Sequence, residues 1–184
     1  MKIDWSGRSH NYSNKDINYL VNIIKTADPL TQGKYLREFE EVFAKYVNKK
    51  NVFAVNSASG ALEIIALLLN LKKNDEVIIP AHTYCASAIP FARQEAKIIW
   101  ADIDFNTRVV DLEDIKRKIT SKTKAILIVH LYGYACDFRE IVSFCRKRKI
   151  KIIEDCAQSL GAEIQNKKVG ILGDFSCYSF HAQK

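Results

Sequence analysis

The central part of the chain alternates short apolar runs with longer stretches whose apolar residues recur at helical spacing. Apolar runs without polar alternation are typical of strands covered on both faces, and alternation with helices favours parallel pairing. We therefore predict a three-layer α/β fold with a mostly parallel sheet. The runs that predict strands are 52–55, 77–79, 98–101, 125–129 and 150–153, and the stretches that predict helices between them are 60–71, 86–93, 112–119 and 138–149.

Helical patterns precede this alternation and two short strand candidates follow it. Ser13 and Asp16 form the ends of a capping-box pattern before a helix expected to stop near Asp28. A second amphipathic helix is predicted at 35–46, and the late strand candidates lie at 170–173 and 175–180. We treat residues 1–30 as a helical segment of the same unit and 31–184 as one large domain.

Length and composition indicate a soluble chain with one core. The 184 residues are 48% hydrophobic, which is enough for a substantial buried interior. The five cysteines contain no CxxC pair and fit no zinc or disulfide framework, so we expect reduced thiols and no metal. The polar first residues do not resemble a signal peptide, and no apolar stretch approaches the roughly 18 residues of a membrane span. A cytoplasmic location is the simplest expectation.

The formal net charge of +7 raises the question of nucleic-acid binding. Its basic residues are dispersed, and the densest run, RKRKIK at 146–151, falls where a helix is predicted to end. A solvated helix end explains that run, so we expect no nucleic-acid partner. A mild positive field would also suit an anionic nucleotide-diphosphate substrate. The charge alone does not distinguish such a substrate site from an ordinary solvated surface.

In an open parallel sheet, ligands bind beyond the carboxyl ends of the strands. Asp155 follows one predicted strand, where a carboxylate would need a cation or strong donors. Tyr84 follows another and could stack on a flat ring, with His82 nearby in the same loop. Each has a plain structural alternative: a helix cap or buried ion pair for Asp155, and core packing for Tyr84.

A possible anion site lies between the first predicted strand and its helix. Ser57, Ala58 and Ser59 precede Gly60 at the expected helix N-terminus, where backbone N–H groups favour negative charge. An ordinary N-cap serine explains the same pattern. Lys184 ends the run GDFSCYSFHAQK and could act as an amine nucleophile if desolvated, although a terminal lysine is usually solvated and idle.

Taken in order, several segments resemble the DegT/DnrJ/EryC1/StrS family of pyridoxal-phosphate (PLP) sugar aminotransferases, which have the fold type I architecture. The similarity runs almost continuously from about Leu30 to Lys184. It is carried by LTQGKYLREFEEVFAKY, FAVNSASGALE, DEVIIPAHTYCASA, WADID, TKAILIVHLYG, IIEDCAQSLGA and GDFSCYSFHAQK.

The resemblance implies a role for each candidate residue. Lys184 would form the internal aldimine and move a proton during transamination, while Asp155 would keep the pyridine nitrogen protonated. Tyr84 would stack on the cofactor ring, and Gln158 would contact its phenolic oxygen or its face. Phosphate would be bound by Ser179 with the segment Ser57, Ala58 and Ser59. The family usually has Ser-Gly-Thr there, so Ala58 requires a backbone conformation that alanine tolerates.

The activity implied by the resemblance moves an amino group from an amino acid, with glutamate as the expected donor, to a keto sugar nucleotide. Related PLP-dependent dehydratases carry histidine in place of the lysine, so Lys184 favours an aminotransferase. Family members are about twice as long, dimeric and carry a smaller C-terminal domain, which is absent here. We therefore expect this chain alone to fold poorly or be inactive, and a remnant or split-enzyme half that binds PLP or a partner chain without turnover is the alternative.

Overall fold

A computed structural model describes residues 12–181, which form two compact units, 12–54 and 55–181. Lys184 lies outside the described residues. Across 12–181, no helix has the length and apolar character needed to cross a membrane.

The first unit contains two helices, α1 (Asn14–Thr26) and α2 (Lys34–Tyr46). The capping box is present: Ser13 Oγ accepts the Asp16 N–H over 3.2 Å, and Asp16 Oδ2 accepts the Ser13 N–H over 2.9 Å. These contacts satisfy donors that the first helical turn leaves unpaired. Both predicted helices are confirmed.

The strand predicted at 52–55 is wrong. These residues belong to no strand of the described chain, and Phe53 is 78% exposed. A β-branched and aromatic run becomes a strand only when a neighbour supplies hydrogen bonds. Here the Ala54 N–H is instead donated to Glu40 Oε1 over 2.8 Å.

The second unit is built on a five-stranded sheet in which every neighbouring pair is parallel. Its members are β1 (Glu76–Pro80), β2 (Lys97–Ala101), β3 (Thr123–Val129), β4 (Lys151–Asp155) and β7 (Phe175–Cys177), and β5 (Glu163–Ile164) pairs with β6 (Lys167–Lys168) in a separate hairpin. The strand order in the sheet is β2-β1-β3-β4-β7.

Helices cover both faces of this sheet. On one face α3 (Ala58–Leu68) and α4 (Ile89–Arg93) pack against side chains such as Val77, Leu127 and Ile153. On the other face α5 (Leu112–Lys118) and α6 (Arg139–Lys147) pack against Ile78, Ile126 and Ile152. Successive strand residues point to opposite faces, so unbroken apolar runs fill both cores. The predicted three-layer α/β architecture is confirmed.

The late part of the chain differs from expectation in one place. The strand predicted at 170–173 is a turn, because Gly170 has φ +87° and its N–H is donated to the Glu154 side chain rather than to a strand. The candidate at 175–180 is confirmed for its first three residues, which form β7.

The sheet register brings the ends of three strands level. Val129 of β3 pairs with Asp155 of β4, and Asp155 pairs with Cys177 of β7. Because the strands are parallel, the residues that follow them emerge at one edge. That carboxyl edge holds the candidate site.

Candidate functional site

Asp155 ends β4 and is only 7% exposed. Its Oδ2 accepts the Ser87 hydroxyl over 2.8 Å, and its Oδ1 accepts the Ala157 N–H over 3.0 Å. The Cys177 thiol lies 3.7 Å from Oδ1. Within residues 12–181, no lysine, arginine or histidine forms an ion pair with this carboxylate. The site therefore presents a buried carboxylate held by neutral donors.

Ser87 is tied to the loop that carries Tyr84. It closes the short 3₁₀ turn Cys85–Ser87 after β1, and its N–H is donated to the Tyr84 carbonyl over 2.9 Å. Its hydroxyl accepts a hydrogen bond from Thr83 Oγ1 over 2.8 Å. The loop after β1 is thus connected by hydrogen bonds to Asp155.

Tyr84 is 66% exposed, so its ring is available at the surface of this loop. The alternative of core packing is therefore not what the structure shows. His82, in the same loop, packs edge-on against Tyr132 with ring centroids 6.0 Å apart. Aromatic side chains from the loops after β1 and β3 thereby meet.

Gln158 lies in the segment after β4 and is half-buried. Its Oε1 accepts the Tyr132 N–H over 3.1 Å, which joins the loops after β3 and β4. Tyr132 has φ +54°, an uncommon conformation for a bulky residue. In this conformation the Tyr132 N–H is donated to the side-chain amide oxygen of Gln158.

The segment Ser57, Ala58 and Ser59 starts α3. Ser57 is the N-cap, and its Oγ accepts the Gly60 N–H over 3.0 Å. Ala58 is the first helical residue and is not among the residues with positive φ. The expectation that Ala58 adopts a conformation alanine tolerates is confirmed. Helix α3 contacts both β7 and the turn Cys85–Ser87.

Ser179 follows β7 and is half-buried, and its Oγ accepts the His181 N–H over 3.3 Å. Asp155 ends β4, and Ser179 follows the neighbouring parallel strand β7, so the two residues lie at the same edge of the sheet. Lys184, the remaining predicted residue, is not among those the structure describes.

A second buried network, absent from the sequence predictions, lies beside Asp155. His130 Nδ1 accepts the Cys136 N–H over 3.0 Å, so in the neutral ring Nε2 carries the proton and donates it to Glu154 Oε2 over 3.1 Å. The His130 N–H is donated to the Asp155 carbonyl over 3.0 Å. This network fixes the ends of β3 and β4 relative to each other.

Glu154 also holds the turn before β7. Its oxygens accept the N–H groups of Gly170, Leu172 and Gly173 over 2.7, 2.8 and 2.7 Å. Burial raises the pKa of the Glu154 carboxyl, but His130 and the backbone donors outweigh that effect and leave the pKa below its usual value. Glu154 is therefore an anion that organises backbone.

His130, Glu154 and Cys156 also have the chemistry of metal ligands, with candidate atoms within 4.8 Å of one another. The hydrogen bonds argue against that use: both ring nitrogens of His130 are engaged, and both Glu154 oxygens accept donors. Burial raises the pKa of the Cys156 thiol well above its usual value, which disfavours the thiolate that a metal binds. We interpret the group as a hydrogen-bond network.

The sequence reasoning missed Ser87, which donates to Asp155, and Thr83, which donates to Ser87. Their spacing of four residues after β1 places both hydroxyls on one side of a short turn. That spacing is a weak signal, because nothing in the sequence links position 87 to position 155.

Comparisons with known proteins bear on the family and the fold of this chain. The sequence pattern of the DegT/DnrJ/EryC1/StrS aminotransferase family matches residues 11–184. GDP-perosamine synthase from Vibrio cholerae is 37% identical over 166 residues, which cover 90% of this chain and 45% of that relative. The chain thus spans about half the length of the curated relatives it matches.

Solved structures share the fold. An aminotransferase from Psychrobacter cryohalolentis superposes with a TM-score of 0.87 at 29% identity, covering 95% of this chain and 44% of that one. The Escherichia coli GDP-4-keto-6-deoxy-D-mannose-3-dehydratase with bound hydrated PLP gives 0.84 at 30% identity, covering 94% and 46%. The expected α/β fold, that of fold type I PLP-dependent aminotransferases, is confirmed. The family pattern covers nearly the whole sequence, so the chain belongs to the DegT/DnrJ/EryC1/StrS aminotransferase family.

Proposed function

We propose that this chain forms the cofactor-binding part of a PLP-dependent aminotransferase that transfers an amino group from an amino acid, glutamate in the simplest case, to a keto sugar nucleotide. The observation that carries the proposal is Asp155. It is a 7% exposed carboxylate at the ligand-binding edge, and within the described chain it has only neutral donors.

The residues at this edge fit the cofactor. A buried carboxylate is stabilised by a cation, and a protonated pyridine nitrogen is the cation that PLP enzymes pair with an acidic residue. The exposed ring of Tyr84 suits stacking, and Gln158 offers an amide in the loop beyond Asp155. Ser179 and the N-terminus of α3, with Ser57, Ala58 and Ser59, supply hydroxyl and N–H donors suited to phosphate.

When bound, PLP supplies an electron sink for negative charge on the substrate carbon. Asp155 would hold the proton on the ring nitrogen, and Tyr84 would restrain the ring. Lys184 would hold the cofactor covalently through its amine and, as a neutral base, carry the proton between donor and acceptor atoms. Each of these proposed roles can be tested by a separate substitution.

The nucleotide-sugar substrate is proposed from the relatives. GDP-perosamine synthase is named for an amino sugar attached to a nucleotide, and this chain is 37% identical to it over 166 residues. This chain spans 45% of that relative. The activity of a whole enzyme, a homodimer and a cytoplasmic location are therefore further parts of the proposal. In the same way, we propose that residues 31–184 belong to the large domain and that 1–30 are part of the same unit.

Cofactor binding is tested by titrating the 184-residue chain with PLP and following the visible absorption band. We expect saturable binding that Lys184→Ala abolishes and Asp155→Ala weakens. Matched controls are Lys167→Ala in the β5–β6 hairpin and Asp137→Asn at an exposed position, which should bind like wild type. A folded wild-type chain that gives no band would contradict the proposal.

Turnover is tested separately with glutamate and a GDP-linked 4-keto-6-deoxy sugar. An amino sugar product supports the aminotransferase. A deoxygenated sugar without nitrogen would support the dehydratase chemistry for which the Escherichia coli relative is named. Because the chain spans about half the length of its relatives, binding without any product would support the second candidate: a remnant or split-enzyme half that holds PLP or a partner chain without turnover.

A further inference from the structure

The hydrogen bonds around Asp155 have a fixed direction. An ionised carboxylate only accepts, so the Ser87 hydroxyl must donate its single proton to Asp155 Oδ2. Ser87 is then left with lone pairs, and Thr83 Oγ1 donates to it over 2.8 Å. The result is a directed chain from Thr83 through Ser87 to Asp155.

Ser87 is poorly replaced by solvent. It is 1% exposed, so a water molecule has little access to the position of its hydroxyl. The remaining restraints on Asp155 are the Ala157 N–H and the weak Cys177 thiol donor, and both act on Oδ1. Among the described residues, Ser87 is therefore the donor that restrains Oδ2.

The same serine restrains the loop that carries Tyr84. Its N–H is donated to the Tyr84 carbonyl, and its hydroxyl bonds to Asp155, 68 residues further along the chain. One residue thus connects the proposed ring-stacking side chain with the proposed partner of the ring nitrogen.

We infer that Ser87 is a positioning residue that orients the Asp155 carboxylate toward the ring nitrogen of PLP and couples it to the Tyr84 loop, with Thr83 as the outer donor. This inference rests on the proposed function. Ser87 touches no reacting atom. Its hydroxyl acts through Asp155, and its backbone N–H holds the Tyr84 carbonyl.

Removing the Ser87 hydroxyl leaves Asp155 Oδ2 without its donor, so the carboxylate becomes free to turn away from the ring nitrogen. A carboxylate that has turned away no longer holds the proton on that nitrogen, which reduces its N–H character. The direct measurement is the ¹⁵N chemical shift of ring-labelled PLP bound to the chain, which moves upfield when the nitrogen is protonated.

The experiment compares wild type with Ser87→Ala, Ser87→Thr and Thr83→Val, each saturated with ¹⁵N-PLP at one pH. We expect Ser87→Ala to move the signal toward that of unprotonated pyridine. We also expect it to raise the PLP dissociation constant about tenfold, because one charge-assisted hydrogen bond is lost. Ser87→Thr retains the hydroxyl and should match wild type. Thr83→Val should shift the signal in the same direction but less.

The matched control is Thr123→Val. Thr123 is a buried hydroxyl residue at the start of β3, where its Oγ1 accepts the Thr120 N–H over 2.9 Å. We expect this variant to lower thermal stability but leave the ¹⁵N signal in place. An unchanged signal in Ser87→Ala, or an equal shift in Thr123→Val, overturns the positioning role alone. A wild-type chain that is folded yet binds no PLP overturns the proposed function, and the role of Ser87 with it.

Discussion

The Nε2 nitrogen of His130 lies 3.1 Å from Oε2 of Glu154, and the two side chains are 0% and 1% exposed. The pair joins the segment after β3 to β4, and Glu154 continues the connection to the turn at 170–173. One carboxylate therefore fixes three segments that lead to the candidate site. Its neighbour Asp155 remains the residue that the site presents.

Replacing Glu154 by glutamine should destabilise the chain strongly. Each Glu154 oxygen accepts at least two N–H groups, so either orientation of a carboxamide would place its NH₂ against donors. We expect the free energy of unfolding, measured in urea, to fall by about 3 kcal/mol. The exposed Glu163→Gln in the β5–β6 hairpin should change it by less than about 0.5 kcal/mol. Equal losses in the two variants would contradict this account of Glu154.

The stability of the chain should fall in acid, in part because of Asp114. The Lys118 ammonium 2.6 Å away and the Asp102 N–H at 2.7 Å lower the pKa of this buried carboxyl to about 2. Its folded pKa is depressed, so its stabilising contribution is complete above the unfolded value of about 3.9 and disappears as pH falls to about 2. Asp114→Asn should therefore be less stable than wild type by about 2 kcal/mol at pH 7.

The measurement for Asp114 is urea unfolding of both proteins at pH 7, 4 and 2.5. The difference between them should persist at pH 7, begin to shrink near pH 4 and be small at pH 2.5. A difference that stays constant across this range would show that the charge of Asp114 is not responsible.

The five cysteines should differ sharply in reactivity. Cys85 is exposed, whereas the other four are buried. Burial raises the pKa of Cys136 to about 12 and that of Cys145 to about 11, which removes the reactive thiolate at neutral pH. With a disulfide reagent at pH 8, we expect one fast thiol in the native chain, lost in Cys85→Ser, and five in guanidinium. A second fast thiol in the native chain would be inconsistent with this structure.

Gly170 should tolerate alanine far less well than Gly133. Both have φ near +85°, so both substitutions strain the backbone by about 1 kcal/mol. A Cβ at Gly170 would also lie 1.8 Å from Tyr178 Oη and 3.1 Å from Cys156 Sγ, while at Gly133 the nearest atom is 4.0 Å away. We expect Gly170→Ala to lose about 3 kcal/mol or more in unfolding free energy. Equal effects in denaturant unfolding would mean that the turn can move away from Tyr178.

Local pattern was sufficient for elements that fold by local rules. The capping box at Ser13 and Asp16 and the amphipathic helix α2 depend on contacts within a few residues, and both were predicted. The strand expected at 52–55 failed because strand formation depends on a partner strand, and these residues pair with no strand in the described part of the chain. The turn at Gly170 was missed because a side chain 16 residues earlier captures its backbone N–H.

By itself, the sequence determined the class of fold, the edge at which a site would form and the residues whose order resembles a known family. Periodicity and strand-end position are properties of a linear chain, so Asp155 and Tyr84 could be selected without coordinates, and the resemblance added Gln158. Tertiary structure decided how Asp155 is held. The Ser87 hydroxyl bonds to Asp155 across 68 residues of sequence. His130 bonds to Glu154, the neighbour of Asp155 in β4, across 24 residues. Such contacts depend on which strands become neighbours and in which register, and only the folded sheet fixes both.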